Sequence, residues 1–104
     1  MKTALLITAL GLLLPAGAVW ANDDDEFYKT KNCMACHRVD RNTLGPSFKN
    51  VAAKYADQAG ADVMLAQKIR QGTVGAWGAV PMPAQPQVSE DESLRLSRWI
   101  LGLK

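Results

Sequence analysis

The chain has one histidine, two cysteines and four methionines in its 104 residues. Two cysteines allow at most one disulfide. They also leave a closed zinc site, usually built from two separated ligand pairs, short of a ligand. A single histidine excludes two imidazoles of this chain on one metal ion. No stretch alternates apolar and polar residues as a half-buried strand does. Internal repeats, low-complexity tracts and linkers long enough to divide domains are likewise missing. Neither sign of charge dominates, with 12 basic and 10 acidic residues, so the strongly basic face that nucleic acid demands is absent. The apolar run at 4–14 is shorter than the roughly 20 residues that span a bilayer, and Pro15 interrupts it.

That run does have a recognisable setting. Met1-Lys2-Thr3 gives a positive start, and small residues follow it up to Val19-Trp20-Ala21. This is the layout of a secretory signal peptide, with cleavage expected after Ala21 and Ala18 as the second choice. Residues 1–21 are then a leader and residues 22–104 one small domain, nearly neutral once Lys2 is gone and not inserted in a membrane. Export implies an oxidising compartment, the periplasm if the host is a bacterium. So small a domain has a modest core and needs a staple such as a metal, a disulfide or a cofactor.

The spacing predicts helices joined by loops, an all-α class. A short helix is expected over 22–32, with acidic residues at its positive end. Phe48, Val51, Ala52 and Tyr55 mark one face of a helix over 47–56, with Pro46 at a start that tolerates proline. Leu65 and Ile69 mark another over 62–71, stopped by Gly72. Ser89-Glu90-Asp91-Glu92 reads as a capping box, followed by Leu96, Trp99, Ile100 and Leu103 at helical spacing. Between the last two helices, residues 72–88 hold Gly72, Gly75, Gly78, Pro81, Pro83 and Pro86. An irregular loop of that length in a small domain is often functional.

Cys33-Met34-Ala35-Cys36-His37 contains every cysteine and histidine of the chain. Four readings apply: a disulfide, part of a zinc site, a thioredoxin-like switch, or covalent attachment of a c-type haem. The zinc reading lacks a ligand, the switch lacks its strands, and the disulfide leaves His37 without a purpose. Haem attachment uses all three residues. Cysteines three apart reach two vinyl groups on one porphyrin edge, and the histidine that follows lies under the iron. Among the methionines, Met1 belongs to the leader, Met34 is tied beside the cysteines, and Met64 reads as helix packing. Met82, between Pro81 and Pro83 in the long loop, is the candidate sixth ligand. A thioether opposite histidine raises the reduction potential.

With Leu44-Gly45-Pro46, Val51-Ala52-Ala53-Lys54-Tyr55-Ala56 and Gly75-Ala76-Trp77-Gly78-Ala79-Val80-Pro81-Met82-Pro83 in order after the haem motif, the chain resembles the small bacterial cytochromes c of the c-551/c-552 type. The resemblance covers residues 23–104. It implies a cytochrome c fold of four to five short helices wrapped around one covalent haem c. It also implies a soluble periplasmic monomer that shuttles single electrons and is not an enzyme. Its implied partners are redox proteins such as a nitrite reductase, a terminal oxidase, a peroxidase or a membrane cytochrome complex. By the same resemblance Cys33 and Cys36 carry the thioethers, and His37 and Met82 are the axial ligands. The Pro46 carbonyl accepts from the His37 imidazole, and the Trp77 indole donates to a haem propionate. Lys68 stands where many relatives have a propionate-pairing arginine, a point charge in place of a planar fork. Gln85 replaces an asparagine near the methionine sulfur, and Ala84 replaces a second proline, so a hydrogen bond to that sulfur is not carried over. Apolar faces including Phe48, Val51, Leu65, Ile69, Leu96, Trp99 and Ile100 are expected around the haem. The first helix is expected to pack on the last through Phe27 and Tyr28. Lys29, Lys31 and Lys49 are candidates for a basic ring at the exposed edge.

Overall fold

The structure, a computed structural model, describes residue 11 and residues 23–104; apart from Gly11, the expected leader lies outside these residues. Helix α1 (Asp23–Thr30) ends two residues sooner than the sequence predicts. Asn32 takes the left-handed conformation, φ 67° and ψ 13°, which asparagine tolerates better than most residues. The chain turns there into a single 3-10 turn, Cys33–Ala35. Helix α2 (Phe48–Tyr55) is capped by Ser47, whose hydroxyl accepts from Asn50 N at 3.0 Å. Pro46 therefore sits just ahead of the cap, not in the first turn. Helix α3 (Ala61–Gln71) stops at Gly72. Helix α4 (Glu90–Leu101) starts with both halves of the expected capping box: Glu92 N donates to Ser89 Oγ at 3.2 Å, and Ser89 N to Glu92 Oε1 at 3.0 Å.

Helix α4 is the hub, packing against α1, α2 and α3. Its Leu96 and Ile100 are buried, as are the Phe48, Val51 and Tyr55 face of α2 and the Leu65 and Ile69 face of α3. Two fully buried serines, Ser93 and Ser97, let α3 approach closely. The Ser97 hydroxyl reaches the Asp62 carbonyl of α3 at 2.7 Å, so no polar group is stranded there. On the other flank Tyr28 of α1 stacks on Trp99 of α4, ring centroids 5.6 Å apart, and meets Phe48 edge-on at 5.1 Å. Such offset and edge-on pairs are favoured ring geometries. They join α1, α2 and α4, as the sequence predicts for Tyr28.

The 72–88 loop is laced at both ends. Thr73 and Met82 exchange two backbone hydrogen bonds, 3.0 and 2.9 Å long, in an isolated antiparallel pair. This is the only β-pairing among the described residues. Gln85 N donates to the Ile69 carbonyl at 3.2 Å, and Val88 is buried. Gly72 is required at the neck. It adopts φ 78°, and a Cβ there would lie 2.7 Å from the Met82 oxygen.

Candidate functional site

A cleft of about 510 Å³ opens among α2, α3, α4, the 3-10 turn and the 72–88 loop. Phe48, Val51, Leu65, Ile69, Leu96 and Ile100 line it, as the sequence predicts. Trp99 does not. It lies off the Leu96–Ile100 stripe, toward α1, and packs on Tyr28 and Phe48 instead. This corrects the expectation that all seven residues face one cavity.

The 3-10 turn brings Cys33, Cys36 and His37 to one edge of the cleft. His37 N and Cys36 N both donate to the Cys33 carbonyl, at 2.9 and 3.2 Å, which folds the five residues into one compact step. Both thiols are free and half-buried, and burial pushes the Cys33 thiol above its ordinary pKa. Three further carbonyls of this step are occupied. Arg38 donates to Met34 O and His37 O, while Thr43 Oγ1 and Gly45 N both donate to Cys36 O.

His37 Nδ1 lies 2.7 Å from the Pro46 carbonyl. A carbonyl only accepts, so Nδ1 carries the proton and Nε2 keeps its lone pair for a metal. The ring stacks on Phe48 with centroids 5.1 Å apart and planes 26° from parallel. Gly45 presses on its edge: a Cβ there would lie 2.7 Å from His37 Cε1.

The loop brings Met82, half-buried, to the same cleft, together with Trp77, 41% exposed. Lys68 of α3 also lines it, with Nζ 6.0 Å from the Tyr55 ring centroid. The Gln85 amide donates to Pro83 O at 3.1 Å, and its oxygen accepts from Gln87 at 2.6 Å. Its polar atoms thus have partners other than the Met82 sulfur. Met64 is partly buried against the core, and its sulfur accepts from Gln58. Lys31 is turned toward the start of α4, 3.1 Å from Glu92 Oε2 and 3.4 Å from the Gln87 carbonyl, and does not line the cleft. Neither do Lys29 and Lys49. Gly45 and Lys54 are two neighbours of the site that sequence reasoning gave no role. Gly45 was visible only as part of a motif, and Lys54 only as a polar position on an amphipathic helix.

The fit to a covalent haem is chemical as well as spatial. Two thiols on one edge, an imidazole with its metal-binding nitrogen free, and an apolar interior make up the donor set that this group needs. The comparisons with known proteins agree. The family model for cytochrome c matches residues 25–104. The chain belongs to the cytochrome c family. This cytochrome c is 48% identical over 100 residues to cytochrome c-551 of Pseudomonas aeruginosa, covering 96% of this chain and 94% of that protein. It is 47% identical to cytochrome c-552 of Nitrosomonas europaea, with both chains fully covered. The crystal structure of wild-type Nitrosomonas europaea cytochrome c552 superposes with a TM-score of 0.75 at 45% identity, covering 77% of this chain and 99% of that one. Like its relatives, this cytochrome c carries covalently bound haem c and is an electron carrier, not an enzyme.

Proposed function

We propose that residues 22–104 form a periplasmic, monomeric electron carrier that passes single electrons between respiratory redox partners. Cys33 and Cys36 would hold its haem covalently, with His37 and Met82 as the ligands to the iron. The partners would be proteins such as a nitrite reductase, a terminal oxidase, a peroxidase or a membrane cytochrome complex. The observation that carries this reading is the convergence of Cys33, Cys36, His37 and Met82 on one cleft, with the imidazole already oriented by Pro46.

When bound, the haem supplies a reversible one-electron site. The polypeptide does the rest. The two cysteine sulfurs anchor it covalently. His37 offers Nε2 while Pro46 holds the opposite nitrogen, which fixes the ring and raises its basicity. The Met82 sulfur would also hold the iron, and would then leave no open site for a substrate. Phe48, Val51, Leu65 and Ile69 exclude water, which disfavours the more charged oxidised state and, with a thioether ligand, keeps the potential positive. Trp77 and Lys68 supply an indole N–H and an ammonium to the acidic side chains of the haem. Among the described residues no helix is long and apolar enough to cross a membrane.

The first test is the visible spectrum of the reduced protein, made in a host that matures haem c, with and without carbon monoxide. A low-spin c-type spectrum unaffected by the gas is expected, and Met82→Ala should make it gas-sensitive. A wild-type spectrum that shifts with the gas would move the protein to the haem enzymes or gas sensors. The intact mass of the exported product should correspond to a chain beginning at Asn22. A mass that retains residues 1–21 would replace the free carrier with an anchored one.

A further inference from the structure

Outside its Thr73–Met82 neck, the loop is thinly held. Within residues 74–81, Val74, Trp77 and Val80 are exposed. Among the described residues, one hydrogen bond reaches this span from the rest of the chain: Lys54 Nζ donates to the Ala76 carbonyl at 2.8 Å. The same ammonium stands 4.3 Å from the centroid of the Trp77 ring and 5.5 Å from that of Tyr55. Lys54 thus grips two consecutive residues in two ways, by a backbone hydrogen bond and by the face of an indole. It does so from α2, whose Phe48 and Tyr55 also line the cleft.

We propose that Lys54 is a positioning residue for Trp77: its ammonium clamps the loop to α2 and fixes the plane in which the indole N–H is presented at the cleft mouth. This rests on the reading that Trp77 donates to an acidic side chain of the haem. A donor on a loop held at one point adopts a single orientation only if its ring is restrained. The Ala76 bond fixes the backbone, and the cation over the ring fixes its rotation.

The test uses the nitrogen-15-labelled haem-bearing protein and the variants Lys54→Met and Lys54→Arg. It measures hydrogen exchange of the Trp77 indole, with the Trp99 indole as internal reference, alongside the midpoint potential. Loss of the cation–π contact and of the hydrogen bond should speed Trp77 exchange in Lys54→Met by about tenfold relative to Trp99. It should also lower the potential by removing a positive charge beside the cleft. Lys54→Arg should restore most of both. Unchanged Trp77 exchange in Lys54→Met overturns the proposal. Equal acceleration at Trp99, which marks a general loosening, also overturns it, as does a Lys54→Arg variant as fast as Lys54→Met. Gas sensitivity of the wild-type spectrum would instead count against Met82 ligation, and leaves the exchange comparison independently readable.

Discussion

Gly45 determines how His37 stands. A side chain there would meet Cε1 at 2.7 Å and Nδ1 at 3.0 Å, and the next residue supplies the carbonyl that holds the ring. Gly45→Ala must therefore move either the imidazole or the segment bearing Pro46. Overpacking of this sort costs about 1–3 kcal/mol. Denaturant unfolding of the haem-bearing variant should show that loss, and the slowly exchanging Nδ1 proton of His37 should disappear from its proton spectrum. Wild-type stability with the proton retained would show that the loop yields freely. Cys33 bears on the rejected redox-switch reading. Burial in the folded chain raises its pKa. That is the reverse of an activated switch cysteine.

Helix α4 organises the fold, and its start is the most heavily furnished terminus among the described residues. Ser89→Ala removes a side-chain cap and should cost about 1 kcal/mol at neutral pH, read from urea unfolding. Glu92 has a lowered pKa because Ser89 N donates to it and Lys31 pairs with it. Asp62 is lowered by the Arg98 guanidinium and by Val63 N. A carboxylate depressed in the folded state contributes its stability above its ordinary pKa and loses it as pH falls through the lowered value. Stability should therefore decline below about pH 4, and the decline should be shallower in Glu92→Gln. Identical acid limbs for the two proteins would remove Glu92 from the explanation.

The molecule as a whole is built around a space it does not fill with its own side chains. Phe48, Val51, Leu65, Ile69, Leu96 and Ile100 all face this cleft, so without a group in it their apolar surface stays open to water and its burial is lost, in a domain whose total stability is only about 5–15 kcal/mol. The haem is thus the missing core. The Cys33→Ala/Cys36→Ala double variant should be largely unfolded by circular dichroism. Native-like helix content without the cofactor would refute this.

The helix faces, the capping box and the Cys-x-x-Cys-His step were all legible in the chain, because each is local. Periodicity marks a buried face, a serine and a glutamate three apart find each other within one turn, and two thiols and an imidazole are adjacent by covalent connection. The sequence alone also singled out Met82, through the two prolines around it. Tertiary structure decided what those faces meet. Trp99 turns to Tyr28 and not to the cleft, Lys31 reaches Glu92 at the start of α4, and Lys54 finds Trp77 across 23 positions. A helical period records which side of an element is covered but not by which partner. The partner depends on how α4 crosses its three neighbours and on where the neck at Thr73 and Met82 aims the loop.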